Sequence, residues 1–247
     1  MGILSRSEFQ RNLADFAHRA NRTAELWSDV WCFANDPDEA ECRDGWPLLS
    51  ASEREIAQRF HFELHRRRYI GGHAALRQVL AAYTGVPPQE LSFRNGSHGK
   101  PSLAWPEIRL SFNLSHSAHA AAIVVANGAA AGVDVEEIRG DRSCEDISRR
   151  FFSPAENRWL DSAPDSDRTL HFFRLWTVKE AVVKANGQGL SIPLDAVEVT
   201  FAHDGSVAID CGPPPSGTSW WVRELDLRPT HAGAVALDQP HELRIIA

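Results

Sequence analysis

The fold of this chain is decided by residues 83–96, YTGVPPQELSFRNG, which run from the end of a helix into a strand. Gly85 and the Pro87-Pro88 pair end a helical pattern, because glycine favours the left-handed helix cap and proline cannot continue a helix. Asn95-Gly96 is a tight-turn signal that follows the strand candidate. The stretch therefore predicts a helix, a strand and a turn in that order.

Residues 185–205, ANGQGLSIPLDAVEVTFAHDG, repeat this punctuation. Gly187 ends a second helical pattern, Pro193 precedes a second strand candidate, and Asp204-Gly205 follows that strand. Helix-then-strands is a common order, so chance agreement is the alternative to duplication. The repetition favours a duplicated α+β unit.

Residues 1–50 are irregular, with a short helical pattern at the start and an apolar run at 26–33. The periodicity of the rest of the chain predicts further elements. Helices are expected from Ser50, from about His65 to Tyr83, from the Ser153-Pro154-Ala155-Glu156 capping box, and from about Asp167 to Asn186. Strands are expected at 91–94, 109–113, 120–126, 131–137, 196–202, 207–211, 220–227, 232–237 and 243–246.

The composition of the 247 residues is that of an ordinary globular protein, with 43% hydrophobic and 24% charged residues, which excludes disordered and fibrous classes. Lys and Arg number 26 against 33 Asp and Glu, a formal charge of −7. A negative protein gives no broad attraction for a polyanion, so no nucleic-acid partner is expected. Any anionic ligand needs a local basic cluster.

The apolar stretches are too short to span a membrane, since the longest, at 118–131, is interrupted by polar residues. The N-terminus has no apolar core of signal-peptide length. The four cysteines are widely spaced without a CxxC pair, which argues against a zinc site or a disulfide framework. We expect reduced thiols, no membrane partner and a cytoplasmic location.

Residues 132–137, GVDVEE, carry two acids on one face of a strand, because Asp134 and Glu136 alternate with valines. Two adjacent carboxylates are costly unless a cation separates their charges, and oxygen ligands suit Mg²⁺. The alternative is an edge strand with a solvated acidic face.

Residues 176–184, WTVKEAVVK, lie on a helix with apolar residues on two sides. Phe173 and Trp176 flank Glu180 and Lys184, which suggests that this charged side is also covered. The alternative is a surface Glu-Lys pair of little energetic weight. The opposite side carries the expected apolar stripe of Phe172, Leu175, Val178, Val182 and Ala185.

Several basic or polar groups are candidates for contact with an anion. They are Lys100, the Ser115-His116-Ser117 string, the triplet Arg66 to Arg68, and Arg77. The alternatives are a solvated helix face for the arginines and a hydrogen-bonded loop for the histidine.

Five strings in order resemble one family. They are Gly99-Lys100-Pro101, FNLSHS at 112–117, GVDVE at 132–136, FFSPAE at 151–156 and WTVKEAVVKANGQGL at 176–190. Together, over about residues 50 to 237, they resemble the 4′-phosphopantetheinyl transferases of the large monomeric, surfactin-synthetase-activating type. The resemblance implies a pseudo-dimer of two α+β halves, here 1–130 and 131–247. Each half would be a small, mainly antiparallel sheet packed with helices, with coenzyme A in the cleft between them.

The resemblance also implies an activity. The phosphopantetheine arm of coenzyme A would move to a serine of an apo acyl, peptidyl or polyketide carrier protein, with Mg²⁺ as cofactor and release of adenosine 3′,5′-bisphosphate. Such enzymes serve fatty acid, polyketide and nonribosomal peptide biosynthesis.

Roles for individual residues follow from the matched motifs. Asp134, Glu136 and Glu180 match the metal-binding acids. Lys184 matches the pyrophosphate-side lysine, with Lys179 in support. The nucleotide end, including its 3′-phosphate, would meet Lys100, Ser115 and His116, with Arg77 near the helical arginine. Glu180 or a metal-bound water would take the proton of the serine.

Two other functions are open on the residues alone. The same acids suit a Mg²⁺-dependent hydrolase acting on a pyrophosphate bond, and they suit a non-catalytic carrier-protein binder whose acids are remnants. For a carrier, we expect a docking surface at Arg66 to Arg68 with apolar residues near Phe151-Phe152.

Overall fold

A computed structural model describes residues 2–17, 26–140, 143–188, 193–202, 206–211 and 219–247. The Asp204-Gly205 turn and Gly189 of the sequence patterns lie outside these ranges. No helix within the ranges combines the length and the apolar character that a membrane span requires.

Helices and strands occur in successive runs in both halves of the chain. The helices are α1 (Arg6–Ala17), α2 (Glu39–Gly45), α3 (Ala51–Gln58), α4 (Glu63–Thr84), α5 (Ser143–Phe151), α6 (Pro154–Ser162) and α7 (Asp165–Asn186). Short 3₁₀ turns occur at Trp46–Leu48, Pro88–Glu90 and Leu194–Ala196.

Within the described ranges, the strands form two larger sheets and two hairpins. They are β1 (Trp27–Ala34), β2 (Ser92–Asn95), β3 (Pro101–Trp105), β4 (Leu110–Ser117), β5 (Ala120–Asn127), β6 (Ala131–Glu137), β7 (Glu198–Phe201), β8 (Val207–Asp210), β9 (Trp221–Leu225), β10 (His231–Leu237) and β11 (Glu242–Ile246).

The two halves repeat one order of elements. In each, a 22-residue helix, α4 or α7, ends at a left-handed glycine, Gly85 with φ 69° or Gly187 with φ 77°. A 3₁₀ turn and a two-stranded hairpin follow, β2-β3 in one half and β7-β8 in the other. The strand orders β1-β5-β4 and β6-β10-β9 also correspond. The predicted α+β class is confirmed, and the duplicated pattern extends to the topology.

The ends of the chain meet in the first sheet. β11 pairs in parallel with β1, so the strand order becomes β11-β1-β5-β4, although the sequence division places residues 242–246 in the second half. α1 packs Phe9 and Phe16 against Trp31 in the same core. α1 and β1 therefore belong to the core of the first half.

Four elements have no counterpart in the sequence prediction: β1, α2, β3 and α5. Seven of the eight residues of β1 are buried, so the strand lacks the alternation that marks a half-exposed strand. The capping box of α2, formed by Asp38 and Glu41, lies in a stretch expected to be irregular.

A buried ion pair occurs at the same place in both halves. Arg77 of α4 donates to Glu53 at 2.8 Å, and Lys179 of α7 contacts Glu156 at 2.7 Å. Each glutamate is also the third residue of a capping box, on α3 and α6. Each pair therefore ties the start of a short helix to the long helix of its half.

The same cations also bind the chain that follows each long helix. Arg77 donates to the carbonyls of Pro88 and Leu91 at 2.8 and 2.9 Å. Lys179 donates to those of Leu194 and Val197 at 2.8 and 2.5 Å. Because both cations are almost fully buried and bonded, their charges serve the scaffold.

The two sheets meet at β4 and β6 through side chains. Alternate side chains of β4 accept bonds from alternate backbone N–H groups of β6. The pairs, at 3.1 to 3.3 Å, are Ser111 with Ala131, Asn113 with Val133, Ser115 with Val135, and Ser117 with Glu137. This polar ladder satisfies the edge of β6 and joins the two halves.

We expect Lys179→Met to lower the free energy of unfolding by about 3–5 kcal/mol, because it leaves the Glu156 carboxylate buried without its cation. Adding Glu156→Gln should recover part of this loss. The control is Arg149→Met, which breaks an exposed pair with Asp161 and should cost less than about 1 kcal/mol. Urea unfolding followed by circular dichroism gives these values. Equal losses in the two single variants would contradict the scaffold role.

Candidate active site

A polar cleft of about 310 Å³ opens where β4, β6 and α7 meet. β6 contributes two acids and α7 contributes an acid and a lysine, while β4 forms the wall beside them. The lining residues are Leu114, Ser115, His116, Asp134, Glu136, Trp176, Glu180 and Lys184. The structure thus brings together the three predicted acids, Lys184, Ser115 and His116.

Asp134 is the most buried group in the cleft, at 2% exposure. Its Oδ1 accepts bonds from Ser115 Oγ at 2.8 Å and from Lys184 Nζ at 2.5 Å. Its Oδ2 is buried without any hydrogen-bond partner. A buried carboxylate oxygen with no donor is costly, so this atom favours a cation.

The pKa values of Glu136 and Glu180 are both raised by burial and by the neighbouring acids. Burial raises the pKa of Glu136, and the charge of Asp134 adds to the rise. Burial also raises the pKa of Glu180, and the negative charges of Asp134 and Glu136 raise it further. Lys184 is the lining cation that opposes these effects. Three acids against one lysine leave the cleft short of positive charge.

The donor set fits a hard divalent cation, because all of the available atoms are carboxylate oxygens. Among the described residues, however, no three His, Cys, Asp or Glu side chains form a ready-made metal cage. Mg²⁺ retains several waters and binds phosphate oxygens when held by few carboxylates. The cleft therefore fits an ion that completes its coordination with water or a bound phosphate.

The rim of the cleft is basic. His116 is exposed there, and desolvation by the surrounding protein lowers its pKa, with further lowering by the charges of Lys184 and Arg68. Arg68 has 18% side-chain exposure and lies 3.5 Å from Asp36. This rim is suited to an anionic group that enters beside Lys184.

The arginine triplet of α4 divides between two surfaces. The charge of Arg68 acts on His116, whereas Arg66 forms a two-bond pair with Glu63 at 2.8 and 2.6 Å. Arg66 and Arg67 both line a separate groove against α2. Of the two apolar residues expected in a docking surface with these arginines, Phe152 is buried and Phe151 is exposed. Arg68 is thus the member of the triplet whose charge acts on a lining residue of the cleft, which the sequence pattern did not distinguish.

Three predicted anion contacts lie outside the lining of the cleft. Arg77 and Lys179 are bound in the two buried ion pairs, and neither is among the residues that line the cleft. Lys100 donates to the carbonyls of Ala131 and Ala185 at 2.9 and 2.8 Å. The structure therefore does not bring these cations to the acids, because their bonds are already made within the protein.

Ser117, beyond the lining of the cleft, donates to Glu136 at 2.6 Å. In the sequence, Ser117 is distinguished only as part of a string with His116. The alternation of Ser115 and Ser117 along a strand is the signal that both hydroxyls share one face.

Comparisons with known proteins agree on one family. The chain matches the model of the 4′-phosphopantetheinyl transferase superfamily over residues 130–237 and that of the 4′-phosphopantetheinyl transferase N-terminal domain over residues 35–128. The two ranges meet at the junction of β5 and β6.

Curated relatives are similar over most of their length. The 4′-phosphopantetheinyl transferase HetI of Nostoc sp. is 36% identical over 198 residues, which are 79% of this chain and 81% of HetI. The 4′-phosphopantetheinyl transferase Sfp of Bacillus subtilis strain 168 is 29% identical over 194 residues, 78% of this chain and 84% of Sfp. Among solved structures, a chain of the Chronobacterium ammoniagenes ACPS-CoA complex matches 45% of this chain and 96% of its own length, with 21% identity and a TM-score of 0.36.

Lys100 should make stability depend on pH in the alkaline range. Burial lowers its pKa from 10.5 to about 8, so the folded protein releases this proton before the unfolded chain does. Stability therefore rises with pH between these two values. We expect the free energy of unfolding of the wild type to rise relative to that of Lys100→Met as the pH increases from about 8 to 10.5. Urea unfolding at several pH values measures this difference. A difference that stays constant would contradict this burial.

Proposed function

This chain belongs to the 4′-phosphopantetheinyl transferase superfamily and transfers the phosphopantetheine arm of coenzyme A, and we propose that it does so in the cleft of β4, β6 and α7. The observation that carries the proposal is the buried, unpartnered Oδ2 of Asp134 beside Glu136, Glu180 and Lys184. The acceptor we propose is a serine of an apo acyl, peptidyl or polyketide carrier protein. Adenosine 3′,5′-bisphosphate is the product that leaves.

The three acids are the proposed holders of Mg²⁺. Asp134 offers its free oxygen, and Glu136 and Glu180 supply the charge that favours a cation. When bound with coenzyme A, Mg²⁺ would neutralise charge on the pyrophosphate and on the leaving group. The donor set of oxygens and the shortage of positive charge in the cleft support this assignment.

The protein's own cations orient the substrate. Lys184 lies between Asp134 and Ser115, so its ammonium can bind a pyrophosphate oxygen while it remains held by these groups. His116 and Arg68 on the rim are proposed to meet the 3′-phosphate of the nucleotide. Ser115 fixes both Lys184 and Asp134 through its hydroxyl.

The transfer is a displacement at one phosphorus atom. The serine oxygen of the carrier forms a bond to the phosphorus of the phosphopantetheine arm, and the bond from that phosphorus to the bridging pyrophosphate oxygen breaks. The departing nucleotide keeps the electron pair. Glu180, which lines the cleft beside Asp134, is the proposed acceptor of the serine proton.

The mass of an apo carrier protein separates the three functions that the residues suggest. After incubation with coenzyme A and Mg²⁺, a transferase adds a phosphopantetheine group to the carrier. A hydrolase consumes coenzyme A without changing the carrier, and a binder does neither. The basic rim of His116 and Arg68 offers a contact for a second phosphate, which a simple pyrophosphate hydrolase does not require, and this favours transfer.

Asp134→Asn and Glu180→Gln should each reduce kcat by about 10²-fold or more, because each removes charge stabilisation at the reacting phosphorus. Carrier binding should persist. Glu137→Gln is the matched control, since Glu137 is the next residue of β6 and its carboxylate lies 3.7 Å from Arg139. Carrier mass spectrometry measures turnover, and circular dichroism checks the fold. Near-normal turnover in either acid variant would overturn the assignment.

Arg68→Gln and His116→Gln should each weaken the binding of coenzyme A more than the binding of 3′-dephospho-coenzyme A. The expected difference in binding free energy is about 1.5–3 kcal/mol, the contribution of one charge-assisted contact. Arg67→Gln is the control, because Arg67 faces the groove of α2. Calorimetry with both ligands gives the comparison. An equal loss for the two ligands would remove the 3′-phosphate from this rim.

A further inference from the structure

Ser117 lies at the last position of β4 and bonds both the backbone and an acid of β6. Its Oγ accepts the N–H of Glu137 at 3.1 Å and donates to Oε2 of Glu136 at 2.6 Å. The hydroxyl therefore has a fixed direction: the backbone donor occupies a lone pair, and the single hydrogen is directed to the carboxylate.

The surroundings of Ser117 hold it firmly. The turn to β5 consists of Ala118, with a φ of 48°, and His119, whose carbonyl accepts the N–H of Asn35 at 2.6 Å. The fully buried His231 donates from Nε2 to the carbonyl of Ser117 at 3.3 Å. His119 contacts the His231 ring edge-to-face at 4.7 Å. A donor anchored on such a corner restricts the rotamers of the side chain it binds.

Ser115 does the same for the other acid of the strand. Its Oγ accepts the N–H of Val135 and donates to Asp134. Ser115 also contacts Lys184, so its loss would disturb a second group of the cleft. Ser117 bonds one acid only, which makes its effect separable.

We propose that Ser117 is a positioning residue for the transfer, which holds the Glu136 carboxylate in the orientation that binds the cation. This inference rests on the proposed role of Glu136. Partners that orient a metal-binding side chain typically contribute 10- to 100-fold to metal affinity or activity. Ser117 acts through Glu136 and not on the substrate.

Ser111 provides a matched control within the same ladder. Its Oγ accepts the N–H of Ala131 at 3.1 Å, as Ser117 accepts that of Glu137. Ser111 lies two rungs before Ser115 and is not among the residues that line the cleft. Ser111→Ala therefore removes a joint between the halves without removing the donor to an acid.

The experiment compares Ser117→Ala, Ser117→Thr and Ser111→Ala. We expect Ser117→Ala to lower kcat about 10- to 100-fold with little change in the KM for coenzyme A, and Ser117→Thr to restore most of the loss. Binding of Mn²⁺ to enzyme saturated with coenzyme A, counted from the electron paramagnetic resonance signal of the free ion, should weaken by about tenfold or more in Ser117→Ala alone. Ser111→Ala should stay within about twofold of the wild type in both measurements.

The double variant Ser117→Ala with Glu136→Gln completes the test. If Ser117 acts through Glu136, the double variant should be no worse than Glu136→Gln alone. Wild-type turnover and Mn²⁺ binding in Ser117→Ala, or an equal loss in Ser111→Ala, would overturn the inference and leave the proposed function intact. Normal turnover in Glu136→Gln would overturn the role of Glu136 and this inference with it. Should Ser117→Ala fail to fold, Ser117→Cys removes the strong donor while keeping the volume.

Discussion

β4 and β6 are joined through side chains, and the orientation of the two β6 acids in the cleft depends on this junction. The N–H groups on the facing edge of β6 bond to hydroxyl and amide oxygens of β4 in place of a backbone ladder. A backbone ladder would bring the strands close and leave no room for side chains between them. The polar ladder keeps the strands apart, and two of its serines can then reach Asp134 and Glu136. The junction of the halves and the orientation of the acids are thus one set of bonds.

The duplication supplies a second constraint, because each half fixes its long helix with one buried ion pair. Arg77 and Lys179 occupy corresponding places and bind corresponding glutamates and carbonyls. The two long helices then diverge in use: α7 directs Glu180 and Lys184 into the cleft, while α4 contributes Arg68 at its rim. A shared scaffold with different side chains facing the cleft produces one site from two similar units.

The sequence predicted the acids better than the cations, for a physical reason. Alternation on a strand places Asp134 and Glu136 on one face, as the structure shows, whereas the position of Glu180 beside them was implied only by the family resemblance. A cation's availability depends instead on which buried group it meets in space. Arg77 and Lys179 meet glutamates of capping boxes, and the capping pattern is a local signal that does not reveal this second bond. β1 was not predicted because burial on both faces leaves no alternation.

The charge balance of the cleft explains how its acids and its basic rim affect an anionic ligand. Three carboxylates beside one lysine repel the pyrophosphate of coenzyme A, so the acids alone form a poor site for the substrate. The basic rim attracts the anionic nucleotide, but its charges lie beside the acids and do not cancel them. A divalent cation held by these carboxylates would supply positive charge both to the acids and to the pyrophosphate, and would relieve both conflicts at once. We therefore expect cation and coenzyme A to bind with positive cooperativity, each contributing the charge that the other needs.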